Sequence, residues 1–579
     1  MNTSLYEPEV QKILDGRDVS FYPSPQDWRD QWIYFLLVDR FNNPAKPPTP
    51  NEFPCDVYQG GNLEGIIRQL PYIKKLGAGA LWLSPVLYNA GWFNNYWGGY
   101  GIQNFLRIEP RFCSDPRQAE LNPDIADKEF RKLVDEAHKN GIYIILDIVL
   151  NHSGDLFNYD GMRDAAPWNE HGEYDIYWRD SNGVARGPWK DISKINNLPL
   201  DAGIYPRELQ HNDFFRRRGS IDPNDLTRGD FDRLKELVTE YKYTDTNIYP
   251  VRNILIRSYQ YLIAKFDIDG LRIDTLQYIE PEFARVFGNA MREFALSIGK
   301  KNFFTFGEIW QDDDESRIAS FIGRDTERAG EFIGIDAAIN FPMRKRLYYV
   351  CKGYMPPSEL AKHYDYQRET LKKIISSHGD ASSYYVNFCD NHDLNNRFHN
   401  PQYPGQTKIM LTCLMTLSGI PCIYYGTEQG LSGTGDRREY SREALWSRHQ
   451  FDDQNEFYEL IKKLSDIRNQ YPPLKYGRQY FRQCSENGVD FGYSSEKGGI
   501  ISFSRILNDR EILIAANTDT DHLKNVYVVV DDNLNPHGRT WRAVYASAKN
   551  LPQSVPTTIR NHYHVVKIKL QPMEAQIWV

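Results

Sequence analysis

The 579-residue sequence is short of features that several protein classes require. Cysteine is scarce and scattered: Cys55, Cys113, Cys351, Cys389, Cys413, Cys422 and Cys484 show no paired spacing. That argues against a thiolate metal site or a disulfide framework and for reduced thiols. No run approaches the roughly 20 apolar residues of a membrane-spanning helix. The net charge of −8 argues against a nucleic-acid partner, which usually needs a clustered basic surface. The first residues, MNTSLYEPEVQKILDGRD, lack the apolar centre of a secretory leader. A cytoplasmic protein is therefore expected, a trimmed secreted form being the other reading. Internal repeats and low-complexity tracts are missing too.

What the chain has is globular composition, 41% hydrophobic and 25% charged, with an excess of aromatics at 14%. These build a large core, and they are also the side chains on which sugar rings stack. From about residue 30 apolar strand-like runs alternate with helical periodicity, the pattern of a parallel sheet with crossover helices. The runs lie at 32–41, 80–86, 142–150, 270–274, 303–310, 334–342, 384–388 and 420–428. Eight strands close a barrel, so the fold class is α/β, a (β/α)8 TIM barrel. The alternation breaks between 152 and 248, a stretch too long for a structureless loop and read as an inserted irregular subdomain. The barrel then occupies 1–151 and 249–472. Short alternating runs from 473 to 579 predict a C-terminal antiparallel β-sandwich. Arg216, Arg217 and Arg218 read as a solvated face of the insert.

Four acidic residues, Asp147, Asp274, Glu308 and Asp393, stand at the ends of these apolar runs. A carboxylate there is costly unless several strand ends converge on one polar site, as they do at the C-terminal face of a barrel. Retaining glycoside hydrolysis needs two carboxyls about 5–5.5 Å apart, a nucleophile and an acid that later acts as base. Asp274 and Glu308, on neighbouring strands, are the natural pair. Arg272 shares a strand face with Asp274 and would hold it ionised. Glu308 must keep a proton, which a dry site near another carboxylate such as Asp393 would favour. Taken alone, Asp274 and Glu308 also read as a buried ion-pair network with Arg272, and His392 as a structural histidine.

The segments DIVLNH (147–152), GLRIDTLQY (270–278), FGEIW (306–310) and FCDNHD (388–393) resemble, in order, the sequence regions of the α-amylase family of glycoside hydrolases. YQGGNLEGI (58–66), LWLSPV (81–86), GYGIQNF (99–105) and GIPCIYYGTEQ (419–429) add to the resemblance, which covers roughly residues 30–579. It implies Asp274 as nucleophile, Glu308 as acid/base and Asp393 as transition-state stabiliser. Arg272 would orient Asp274, His152 and His392 would bind sugar hydroxyls, and Tyr100 would stack on the sugar. Asp147 matches a structural aspartate. Asn151 matches a position that binds calcium in many members, making a structural Ca2+ the one cofactor expected. A second ion site at Asp39, Asn42 and Asn43 is a weaker match.

The chain departs from the family at Gln277 and Tyr278, where many α-amylases carry Lys-His on the leaving-group side. Asn104 replaces a common aspartate and Gly98 a histidine, and Trp310 either lines the acceptor side or packs. The reading is a retaining hydrolase of α-glucosidic bonds in starch-type or malto-oligosaccharide substrates. A glucanotransferase with the same residues is the alternative, and a non-catalytic glucan-binding protein a third. Neither a nucleic-acid nor a membrane partner is expected, and oligomeric state is not readable.

Overall fold

The computed structural model describes residues 2–16, 19–49, 57–92, 98–162, 165–327, 332–433, 441–447, 451–548 and 550–579. Eight parallel strands form the barrel: β1 (Ile33–Leu36), β2 (Ala80–Leu83), β3 (Tyr143–Val149), β4 (Gly270–Asp274), β5 (Phe304–Gly307), β6 (Ala337–Ala338), β7 (Val386–Asn387) and β8 (Ile420–Tyr424). Neighbours pair in sequence order and β8 pairs with β1. A single bridge between Ile339 and Val386 joins β6 to β7 and completes the ring. The strands are buried on both faces, which is why they read as unbroken apolar runs.

Helices between the strands cover the barrel wall. Leu63–Leu76 is capped by the Asn62 side chain and ends at Gly77, whose left-handed φ of 102° suits a residue without Cβ. Pro123–Lys139 and Pro281–Ser297 each begin with a proline, which needs no N–H partner in the first turn. The run after β3 is the insert. It is built from short pairs, Phe157–Tyr159 with Ile176–Trp178 and His152–Ser153 with Lys235–Glu236. The second pair matters most, because it returns the insert to the residues that leave β3.

Two five-stranded antiparallel sheets follow the barrel. One runs through Ile500–Leu507 and Arg510–Asn517, the other through Lys524–Val529 and Tyr563–Leu570. Between them lie Trp541, Val526, Val566, Leu513 and Trp578. Six described cysteines are free and buried, and Cys55 lies outside the described residues. Among the described residues no helix is long and apolar enough to cross a membrane.

Arg505 joins the sandwich to the barrel. It is fully buried and donates to the carbonyls of Thr416 (2.6 Å), Leu474 (2.9 Å) and Gly477 (2.9 Å). Arg468 reaches Leu474 O from the barrel side at 2.8 Å. Removing the guanidinium strands several buried carbonyls at about 1–3 kcal/mol each. Arg505→Met is expected to lower the thermal midpoint by several degrees. An unchanged midpoint would show that the junction does not depend on it.

Candidate active site

Burial sets the constraint at the C-terminal mouth of the barrel. Asp147 lies inside β3 rather than at its end, and the β3–β4 register sets it opposite Arg272. Arg272 is fully buried, and one of its nitrogens, Nη1, donates to both Asp147 Oδ1 and Asp274 Oδ1 at 2.7 Å. Its Nη2 lies 3.1 Å from Glu308 Oε2. Trp82 Nε1 and the Tyr100 hydroxyl donate to the other oxygen of Asp147, at 3.1 and 2.9 Å. Asp147 is thus committed to holding Arg272, and Arg272 to the pair beyond it.

Glu308 follows β5 directly, and its N–H donates to Ile273 O at 2.9 Å, extending the β4–β5 register by one step. Asp274 and Glu308 are therefore neighbours across adjacent strands, whose backbones run about 4.8 Å apart. Thr275 has a left-handed φ of 46°, a strained value for a β-branched residue. That twist turns its N–H onto Glu308 Oε2 at 3.1 Å.

Asp393 is not at a strand end. It lies six residues beyond β7, on a loop, and reaches the site by other contacts. His392 Nε2 is 3.1 Å from Asp393 Oδ2 and 3.0 Å from the Tyr100 hydroxyl. Arg442, which the sequence gave no reason to choose, donates to His392 O at 2.6 Å and to Asp393 Oδ1 at 3.2 Å. The Tyr100 and His392 rings lie parallel, 5.5 Å apart. A Cβ at Gly98 would come within 2.8 Å of the Tyr100 ring, so glycine keeps that face clear.

Of these groups Tyr100, Asp274, Glu308, His392, Asp393 and Arg442 border a cavity of about 670 Å³, with Asp147 and Arg272 behind them. Gln277, Tyr278 and Trp310 line one side, with Gln277 Oε1 held by Gln311 Nε2 at 3.1 Å. Trp310 is 38% exposed and its ring also stacks on Phe341, so it lines and packs at once. An adjoining wall comes from the insert: Phe231, Asp232, Arg233 and Leu234. Phe231 meets Tyr278 edge-on at 5.2 Å, closing insert against barrel. None of these four stands in a motif, and only the fold brings them here. His152 lines the cavity too; burial pushes its imidazole down to about 3, so it is neutral. Its Nε2 has no hydrogen-bond partner among the described residues, which leaves it for a hydroxyl.

Burial raises all three inner carboxyls. Arg272 opposes the rise, and neighbouring carboxylates add to it at Asp274 and Glu308. Asp147 is raised to about 6, Asp274 to about 7 and Glu308 to about 8. The order fits the contacts, since Asp147 and Asp274 have the 2.7 Å donor and Glu308 the longer one.

Asn151, the expected calcium ligand, does not sit in a calcium cradle. Its Nδ2 lies 3.3 Å from His152 Nδ1, and its carbonyl accepts Leu237 N–H at 2.9 Å. Glu236, which pairs with His152 across the insert's return strand, is taken by Arg216 at 2.8 Å. Arg216 is accordingly no solvated face, contrary to the sequence reading. Asp39 accepts the N–H groups of Gln59 and Gly60 and pairs with Arg40, while Asn42 and Asn43 donate to Gly65 O and Gly60 O. Among the described residues no cluster of three or more His, Cys, Asp or Glu is arranged to hold a metal. At these two expected positions the donors described are engaged with protein groups and do not fit the ion.

The family model for the alpha amylase catalytic domain matches residues 35–448. The chain is 26% identical to a beta/alpha-amylase of Paenibacillus polymyxa over 87% of its own length and 37% of that protein's. It is 27% identical to an alpha-amylase of Saccharomycopsis fibuligera, covering 82% of this chain and 81% of that one. The chain thus spans little more than a third of the first relative. An alpha-amylase structure from Geobacillus thermoleovorans, complexed with acarbose, superposes with a TM-score of 0.67 at 24% identity, covering 96% and 99% of the two chains.

The raised Glu308 carboxyl has a consequence for stability. Its proton is held more tightly in the folded chain than in the unfolded one, where the reference value is 4.5. The folded state therefore loses stability as pH rises from about 4.5 through about 8. Glu308→Gln removes that loss. Its thermal midpoint is expected to gain on the wild type steadily across that window and to match it below. A gap that does not change with pH would refute the assignment.

Proposed function

The chain belongs to the α-amylase family, and from the geometry of its site we propose that it is a retaining hydrolase of α-glucosidic bonds in malto-oligosaccharides or starch-type glucans. One observation carries the reading: a single buried guanidinium, anchored by Asp147, touches both Asp274 and Glu308. That suits the close spacing of a retaining site better than the roughly 6.5–9.5 Å gap that admits a water in an inverting one.

In the first displacement Asp274, whose carboxyl burial raises to about 7 against the pull of Arg272 so that it reacts in the ionised form that grows above that pH, attacks the anomeric carbon as Glu308 protonates the departing glycosidic oxygen. The leaving sugar takes that proton, and the glycosyl group stays on Asp274 as an ester. Glu308, now ionised, removes a proton from water, whose oxygen attacks the anomeric carbon and releases Asp274. Glu308 ends protonated, ready for the next turn. Asp393, held by Arg442 and His392, faces the positive charge that grows on the ring. His152 and His392 bind hydroxyls, and Tyr100 offers its ring face.

A specific feature favours transfer to sugar as a second reading. The acceptor side has no lysine at 277 and presents Trp310, Tyr278 and Phe231, apolar faces that would hold a sugar acceptor and crowd out water.

Maltoheptaose digestion separates the outcomes. A rising count of reducing ends with only shorter products is expected. A constant count with both longer and shorter products would make the chain a transferase, and no change would leave only binding. Asp274→Asn is expected to cut turnover by more than about a thousandfold and Glu308→Gln by about 10²–10⁴-fold, each with the fold intact. Normal turnover in Asp274→Asn would overturn the mechanism. The wild-type rate is expected to fall on the alkaline side near pH 8, as Glu308 loses its proton.

A further inference from the structure

The insert wall of the cavity is one tight turn. Leu234 N–H donates to Phe231 O at 3.0 Å, and Asp232 takes a left-handed φ of 59°. The residues on either side of that turn are Asp230 and Lys235, and their side chains meet: Lys235 Nζ lies 3.2 Å from Asp230 Oδ2. Nζ also lies 3.7 Å from Asp155 Oδ1, on the chain just leaving β3. Lys235, Asp155 and Asp230 are all at least nine-tenths buried, with Lys235 and Asp155 showing no exposed surface.

The surroundings suit an ammonium rather than a metal ion. Nζ stands 4.7 Å from the Tyr159 ring and 5.1 Å from the Phe157 ring, so two of its neighbours are aromatic faces. A calcium ion takes six to eight oxygens at about 2.3–2.6 Å, and aromatic rings supply none. The carboxylates are engaged further. Asp155 receives Arg233 at 2.6 Å and Arg179 at 3.2 Å, and Asp230 receives the Tyr159 hydroxyl at 2.5 Å. Arg233 belongs to the cavity wall, so the same cluster ties turn, return strand and barrel exit together. The Ser153 hydroxyl donates to Lys235 O at 3.4 Å, securing the strand from its other side.

We propose that Lys235 is the positioning cation of the insert: its ammonium supplies, between Asp155 and Asp230, the charge that a structural divalent ion would supply at this junction. It thereby fixes the Phe231–Leu234 turn against the cleft without a metal. This holds whether the cleft hydrolyses or transfers, because the fold is the first readout.

The test uses the full chain, stripped of metal and melted in millimolar EDTA or millimolar calcium chloride. The wild-type midpoint is expected to be the same in both. Lys235→Met, close in shape but uncharged, takes from buried Asp230 the ammonium at 3.2 Å and leaves Asp155 to its arginines. It is expected to lower the midpoint by about 5 °C and to raise KM for maltoheptaose more than it lowers kcat. Lys235→Ala also opens space between the carboxylates and is expected to gain a calcium-dependent rise in midpoint that the wild type lacks. A wild-type midpoint that falls in EDTA and returns with calcium would overturn the proposal. So would a Lys235→Met variant with wild-type midpoint and KM, or a Lys235→Ala variant indifferent to calcium. Should Lys235→Met not accumulate as folded protein, the wild-type comparison and Lys235→Ala still decide.

Discussion

Arg272 is the group on which the rest of the site depends. It is a full positive charge with no exposed surface, which water cannot stabilise and only carboxylates can. Asp147 and Asp274 answer it at 2.7 Å, and Glu308 stands at 3.1 Å. One cation cannot balance three carboxylates in a dry place, and Asp393 adds a fourth nearby with Arg442 as its own partner. The surplus has to be relieved by a proton. It goes to the carboxyl with the longest contact to Arg272, which is Glu308. The difference between the proposed nucleophile and the proposed acid thus follows from charge balance and distance, with no special chemistry in either side chain.

That arrangement also accounts for how the barrel is laid out around it. Asp147 can serve Arg272 only from the next strand and in register, and the β3–β4 pairing provides that. Trp82 from β2 and Tyr100 from the loop beyond it satisfy the remaining oxygen of Asp147, so three other segments converge on one carboxylate. The strain at Thr275 belongs to the same economy of position. Its left-handed backbone gives Glu308 an N–H donor that an ordinary strand end would aim elsewhere.

Much of this was legible in the order of residues, for a physical reason. Strands buried on both faces leave unbroken apolar runs, and a carboxylate inside such a run stands out. Arg272 two positions before Asp274 needed only the two-residue period of a strand. Asp393 was found by its motif, though its place was misjudged: the strand ends at Asn387 and a loop carries the chain on. Arg442, Thr275 and Phe231 were not legible. Their roles arise from long-range contacts or from a backbone torsion, and neither leaves a periodic trace. Arg216 was misread because three adjacent arginines look like a solvated face. Their partners Glu236, Glu240 and Glu173 lie 20 or more residues away, or are brought close only by the folded insert.

The insert repeats on a second scale what Arg272 does in the barrel. A region with little regular structure cannot hold its shape by backbone ladders alone, and the pairing of His152–Ser153 with Lys235–Glu236 is only two residues long. Buried ion pairs make up the difference. They are weak as sources of stability, because desolvation offsets much of the attraction, but strong as specifiers of geometry, because any other arrangement leaves a buried charge alone. Lys235 and Arg216 stand side by side with the two ends of that short ladder, and Arg233 carries the same network into the cavity wall. The cleft therefore has two walls fixed by the same means. On the barrel side an internal cation sets the protonation of the carboxyls at the mouth, and on the insert side buried cations hold the turn that lines the cavity.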